Sequence, residues 1–254
     1  MILIALDVDE TLLRSDHTIS NFTLKTLKKC QKKDIKIALN TVRGYDSAMK
    51  IAKQINADYI NAERGNLILD RNDNIIYKRP FNKKLQAKII NFFLKHTDKV
   101  YVGTIKKFFG KVYDKNFAQK WNIIDYDIKE LINEDLYKMT VYVDDEYLKN
   151  VFNKFCDDNH LTYYYMRTAP YLIISPENSD KWFGLKKLID KLNINHDELY
   201  VFGDDTTDLM SLKQAKHGIA MSNSKPELLK EIQTICPSND DDGVARYIEE
   251  NILN

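Results

Sequence analysis

The chain has 254 residues, 38 basic against 37 acidic side chains, 44% hydrophobic and 30% charged residues. That length suits one large domain or two modest ones with a self-sufficient core, and that composition excludes a disordered chain. A net charge of +1 gives no global pull towards nucleic acid or an anionic membrane, and three scattered cysteines without a CxxC pair argue against a disulfide framework or a cysteine zinc site and for a reducing, cytoplasmic setting.

The apolar run 2–6 reads as a buried parallel strand that stops at Asp7; it is too short for a signal peptide or a membrane span. Ser20 caps a helix with Leu24, Leu27 and Cys30 on one face. Residues 35–39 form a second buried strand, 46–55 a helix and 58–61 a third strand. This alternation is the rhythm of a doubly wound α/β sheet. A β-hairpin follows, 67–69 and 75–77, with Asp73 and Asn74 in its turn.

From 82 to 178 the pattern changes. The helices 85–95 and 146–156 and the strands KMTVYV, LTYYYM and YLIIS indicate an α+β unit of antiparallel character. Pro80 and Pro176 punctuate its edges. The first rhythm then returns, with a helix over 180–192, the strand LYVFG, a helix over 209–215, the strand HGIAM, a helix from Pro226 to Ile232 and a last helix over 244–253. The expected fold is a Rossmann-like parallel sheet, built from 1–81 and 179–254, with an α+β domain inserted at 82–178.

Four segments carry candidate chemistry. Asp7-Val8-Asp9-Glu10-Thr11 follows the first strand, and the carboxyl ends of strands are where open α/β sheets bind ligands. Paired carboxylates there can act as nucleophile and proton donor or hold a cation; alone, the segment is equally an acidic cap. Gly203-Asp204-Asp205-Thr206-Thr207-Asp208 follows LYVF and again presents carboxylates, the ligand type of a hard divalent cation. Thr41 follows the second strand, and Lys181 opens the helix leading back into the sheet. Each of these two is unremarkable by itself; they gain weight from their order. The histidines show no ligand spacing, and the basic-aromatic stretch 106–111 reads as a strand edge with solvated lysines.

Asp7, Asp9 and Thr11, then Thr41, then Lys181, then Asp204 and Asp208, resemble the four ordered motifs of the haloacid dehalogenase superfamily. The insertion resembles the type-2 cap of its Cof-type sugar-phosphatase branch. The likeness extends over nearly the whole chain, including SDKWFGLKKL, GDDTTDLM, IAMSNSKPELLK and DDGVARYI. It implies a Mg²⁺-dependent phosphatase for small phosphorylated metabolites, with sugar phosphates first and phosphorylated cofactors next. Asp7 would attack phosphorus, and Asp9 would protonate the leaving oxygen and then activate water. Thr11, Thr41 and Lys181 would hold phosphoryl oxygens. Asp7, the Asp9 backbone carbonyl, Asp204 and Asp208 would hold the metal. Arg43, Tyr45 and Arg64 from the core, and Arg167 to Tyr171 from a loop of the cap, are the specificity candidates. A sugar phosphomutase and a non-catalytic binder of phosphorylated metabolites are the alternatives.

The chain departs from the family pattern at Glu10, where glycine is usual, at Val42 in Thr-Gly-Arg, at Arg64-Gly65-Asn66 in place of Asn-Gly-Ala, and at Thr207 in place of asparagine.

Overall fold

The computed structural model describes residues 1–113, 115–166 and 169–254. It falls into two compact units, Met1–Lys78 with Asp180–Asn254, and Arg79–Ser179.

The discontinuous unit begins with β1 (Leu3–Leu6), α1 (Asn21–Lys32), β2 (Lys36–Asn40), α2 (Tyr45–Ile55), β3 (Tyr59–Ala62) and the hairpin β4 (Leu67–Asp70) and β5 (Ile75–Lys78). Every residue of β1 is fully buried, which is why the run is continuously apolar rather than alternating. Each large side chain buried in this way contributes roughly 1.5–3 kcal/mol. Ser20 accepts the Thr23 N–H and so starts α1, whose buried face is Thr23, Thr26, Leu27 and Cys30. Leu24, expected on that face, is only half-buried, and two threonines take its place.

The inserted unit contains α3 (Lys83–Leu94), β6 (Val100–Gly103), β7 (Phe108–Gly110), α4 (Lys115–Trp121), β8 (Ile123–Asp125), β9 (Lys138–Tyr142), α5 (Glu146–Asp158), β10 (Thr162–Tyr165) and β11 (Tyr171–Ser175). Its sheet runs β10-β11-β9-β6-β7-β8, antiparallel except for the parallel β7–β8 pair. Ile89, Ile90 and Phe93 of α3 and Phe152 and Cys156 of α5 share one core with Val100, Val102, Met139, Val141, Leu172 and Ile174 of the strands. Phe92 and Phe155 stack face to face across the two helices, 3.7 Å between centroids. Phe81 is buried in this core, and its N–H donates to the Leu136 carbonyl.

The first unit resumes with α6 (Lys181–Leu192), β12 (Leu199–Gly203), α7 (Leu209–Gln214), β13 (His217–Met221), α8 (Pro226–Leu229), β14 (Thr234–Cys236) and α9 (Gly243–Asn251). Its sheet order is β14-β13-β12-β1-β2-β3-β4-β5, parallel from β14 to β3 and antiparallel from there on. The chain leaves β1 towards β2 on one side and returns to pair β12 on the other. The carboxyl ends of β1 and β12 therefore meet at the switch point of the sheet, where a crevice opens.

Three features differ from the sequence reading. The helix starting at Pro226 ends at Leu229, short of Ile232. The strand β14 and the helix α4 had no counterpart in it; β14 is three residues long, too short to display a period of two. All three cysteines are free and buried.

Candidate active site

Two acidic turns and one buried lysine converge at the switch point. β1 delivers Asp7, whose N–H donates to the Phe202 carbonyl of β12 at 3.1 Å. The chain then kinks through Val8–Leu12, with Asp9 extended and Glu10 left-handed at φ 57, and closes when the Leu13 N–H meets the Val8 carbonyl. β12 ends at Gly203, where a Cβ would lie 2.5 Å from the Cβ and Cγ of Asp208. A missing side chain at 203 is what lets Asp208 fold back over the strand end. Asp205 caps the short turn Thr206–Asp208 in a reciprocal box: its carboxylate accepts the Thr206 N–H, and its own N–H donates to Asp208 Oδ2.

Lys181 enters from the first turn of α6, which is seated by two glycines. A Cβ on Gly65 (φ +88) would lie 2.0 Å from the Asp180 carbonyl oxygen. A Cβ on Gly184 would lie 2.1 Å from Asn61 Oδ1 and 2.6 Å from the Gly65 Cα. Bare backbone on both sides brings α6 down onto the end of β3. Asn61 then donates to the Lys181 carbonyl at 2.8 Å and to Asn40 Oδ1 at 2.7 Å, and Asn40 reaches Ser211 Oγ at 3.3 Å. This buried amide chain ties β2, β3, α6 and α7 together beneath the site. A buried polar network of this kind fixes geometry because breaking one bond strands its partner.

At the centre, Lys181 Nζ lies 2.5 Å from Asp7 Oδ1 and 2.8 Å from Asp208 Oδ1. Lys181 is 2% exposed, Asp7 5% and Asp208 0%. Thr11 Oγ1 donates to Asp204 Oδ1 at 3.0 Å. Carboxylate oxygens of Asp7, Asp204 and Asp208 all lie within 4.8 Å of one another. Burial raises the pKa of all three groups, and repulsion from Asp7 adds to it at the other two: Asp204 is pushed up to about 8 and Asp208 to about 7. Burial pulls the Lys181 ammonium the other way, but Asp208 and Asp7 outweigh it, so Lys181 stays charged. One ammonium faces three crowded carboxylates, so the donor set has unused anionic capacity. Hard oxygen donors at this spacing fit a divalent cation such as Mg²⁺ or Ca²⁺.

Asp9 stands apart from that trio. Its carboxylate is held in a two-point ion pair by Arg43, with Nε 2.8 Å from Oδ2 and Nη2 2.5 Å from Oδ1. Burial raises the Asp9 pKa, but Arg43 overrides it and holds the group below the ordinary carboxylate range. Arg43 is itself aimed by Ser47 Oγ at 2.8 Å, and its backbone N–H donates to Thr41 Oγ1 at 3.1 Å. Thr41 is fully buried, and its N–H donates to the Asn61 carbonyl.

The structure thus brings Asp7, Asp9, Thr41, Arg43, Lys181, Asp204 and Asp208 to one strand-end crevice. Two expected sites look different in it. The Thr11 hydroxyl, expected to meet phosphate, donates a hydrogen bond to Asp204. Tyr171, expected in a loop, is the first residue of β11 and is buried against Tyr101 and Tyr142. Arg167 lies outside the described residues. Tyr45 opens α2, and Arg64 takes a left-handed turn at φ 56 with its N–H on the Thr41 carbonyl. The sequence reading missed Asn61 and the role of Gly184. A glycine in the middle of the amphipathic stretch KWFGLKKL was the available signal, since it costs helix stability unless something approaches closely.

A doubly wound sheet with carboxylates on two adjacent strand ends, a buried lysine between them and an acidic cluster that could hold a divalent cation is the kind of arrangement that suits phosphoryl-transfer chemistry. The chain matches the haloacid dehalogenase-like hydrolase family over residues 4–248 and belongs to it. Within that family it is a phosphoric monoester hydrolase. Two 5-amino-6-(5-phospho-D-ribitylamino)uracil phosphatases of Bacillus subtilis are similar to it. One is 25% identical, covering 98% of this chain and 96% of its own; the other is 22% identical, covering 99% and 96%. The crystal structure of a haloacid dehalogenase-like hydrolase from Bacteroides thetaiotaomicron superposes with a TM-score of 0.88 at 23% identity over 98% of both chains.

Proposed function

We propose that the protein is a Mg²⁺-dependent phosphatase of the cytoplasm that hydrolyses small phosphate monoesters through an aspartyl-phosphate on Asp7. Sugar and polyol phosphates are the substrate class, with phosphorylated cofactors second. The observation that carries the reading is the buried set of Asp7, Asp204, Asp208 and Lys181 at the ends of β1 and β12 and the start of α6. Both Bacillus relatives carry names for a phosphatase of a phosphorylated ribityl compound, which supports the substrate class.

Asp7, Asp204 and Asp208 would hold the cation, together with the Asp9 backbone carbonyl. Bound there, the cation would supply charge neutralisation at the phosphoryl group. Asp7 Oδ attacks phosphorus and the ester oxygen leaves. Lys181, already between Asp7 and Asp208, offsets charge on the transferring group, and the Thr41 hydroxyl donates to one of its oxygens. Asp9 gives a proton to the leaving oxygen and recovers one from the water that cleaves the acyl phosphate. A carboxylate that has lost its proton in the first step is the base required in the second. The Arg43 pair holds Asp9 ionised at rest, so Asp9 can take up a proton only once that pair loosens. Thr11 orients Asp204 rather than the substrate.

Phosphate release should be screened over a panel of sugar phosphates, polyol phosphates, flavin mononucleotide and pyridoxal phosphate, with and without Mg²⁺. Metal-dependent release from several monoesters, with sugar and polyol phosphates ahead, is the expected result. Release that persists after exhaustive chelation, or none from any monoester, contradicts the proposal.

A further inference from the structure

We infer that the loop 222–225 brackets the two acidic turns, and that Asn223 is a positioning residue for the divalent-cation site. This rests on the reading above that the carboxylate trio takes a cation. The loop follows β13 and contains none of the carboxylates.

Asn223 Nδ2 donates to the Glu10 carbonyl at 2.8 Å. Asn223 Oδ1 accepts the Asn239 backbone N–H at 3.1 Å, and Asn239 Nδ2 donates to the Leu13 carbonyl at 2.9 Å. The turn that carries Asp9 is therefore gripped at its middle and just past its end by two linked asparagines. Two residues after Asn223, the Lys225 N–H donates to the Asp204 carbonyl at 3.3 Å, and the Lys225 ammonium pairs with Asp205. One short loop thus holds the Asp9 turn with one residue and the Asp204 turn with another.

The grip falls where the backbone needs it. Glu10 sits at φ 57, a conformation that a residue with a Cβ resists and that glycine adopts freely. A relaxed Glu10 would rotate the Asp9–Glu10 peptide, and with it the Asp9 carbonyl. The amide hydrogen bond from Asn223 opposes that rotation. Partners of this kind, one step removed from the ligands, commonly change metal affinity by 10–100-fold.

The test is a calorimetric titration of the intact metal-free protein with Mn²⁺, without substrate. Asn223 is exposed, so Asn223→Ala keeps its core, and the unliganded melting temperature checks this. Asn223→Ala should bind Mn²⁺ roughly tenfold more weakly than wild type. Leu27→Ala, which truncates a buried side chain of α1 and removes none of these hydrogen bonds, should keep wild-type Mn²⁺ affinity, which separates positioning from general loss of stability. In the Glu10→Gly background, where residue 10 needs no restraint, Asn223→Ala should cost less than threefold. Equal Mn²⁺ affinity for wild type and Asn223→Ala overturns the inference, as does a full tenfold loss in the Glu10→Gly background. A wild-type protein that binds no divalent cation instead overturns the cation-site reading beneath it.

Discussion

Replacing Gly184 with alanine should weaken both the fold and the site, against the usual direction of such a change. In an ordinary helix interior, Gly→Ala stabilises by about 1 kcal/mol. Here the new Cβ would lie 2.1 Å from Asn61 Oδ1 and 2.6 Å from the Gly65 Cα, and ordinary contact begins at about 3.4 Å. The asparagine can swing away, but only by giving up its bonds to Asn40 and to the Lys181 carbonyl. The Gly65 backbone cannot yield, because Gly65 is itself pressed on Asp180. Overpacking of this degree costs about 1–3 kcal/mol, and each lost buried hydrogen bond about 1 more. With both asparagine bonds lost and the helix gain subtracted, Gly184→Ala should be destabilised by about 2–4 kcal/mol. A shift of α6 by about 1 Å would also move Lys181 off Asp7 and Asp208, and misplacement on that scale costs about 100-fold in turnover. Urea unfolding gives the first quantity and phosphate release under saturating Mg²⁺ the second. A Gly184→Ala protein as stable and as active as wild type would refute the close-approach account of how α6 is seated.

Metal affinity should climb with pH. In the metal-free fold Asp204 and Asp208 hold their protons up to about 8 and about 7, whereas in the unfolded chain they lose them near about 3.9. For these two groups the folded state binds more protons between those limits, so their contribution to stability falls as pH rises through that window. A cation must displace the same protons, so the melting-temperature rise produced by a fixed Mg²⁺ concentration should be larger at pH 8 than at pH 6. An equal rise at the two pH values would count against these carboxylates as ligands. Asp204→Ala should raise the Mg²⁺ concentration for half-maximal activity more than tenfold. Asp205→Ala should change it far less, since the Asp205 carboxylate is occupied with Lys225 and with capping Thr206; similar Mg²⁺ requirements for the two variants would undo that distinction.

The frame of the molecule was readable because its signals are long. β1 and β12 are continuous apolar runs that end abruptly in aspartates, and α1 and α6 begin at polar caps whose side chains accept backbone N–H groups. The carboxylates were visible at strand ends and Lys181 at a helix start, but only their order, and the family motifs that order resembles, set them apart from acidic caps and a surface lysine. What escaped was whatever depends on a partner far along the chain. Asn61 looks like any strand-end asparagine until β2 places Asn40 beside it in register. Thr11 looks like a phosphate ligand until Asp204, 193 residues away, accepts the hydrogen bond of its hydroxyl. Arg43 reads as a specificity residue, yet its guanidinium is committed to Asp9. The departures from the family pattern also acquire physical content. Glu10 and Arg64 both stand at left-handed positions, φ 57 and φ 56, where glycine or asparagine carries less strain.

The central claim is that Asp7 is the group phosphorylated during turnover, and it is tested most directly by comparing wild type with Asp7→Asn. Wild-type protein quenched in acid during turnover with Mg²⁺ should carry one phosphate on the peptide containing Asp7. The variant, confirmed by mass to be free of deamidation, should fold normally, carry no phosphate there and release phosphate at least about a thousandfold more slowly, since an amide is a poor nucleophile. An Asp7→Asn protein that turns over at the wild-type rate would contradict the assignment of Asp7 as nucleophile.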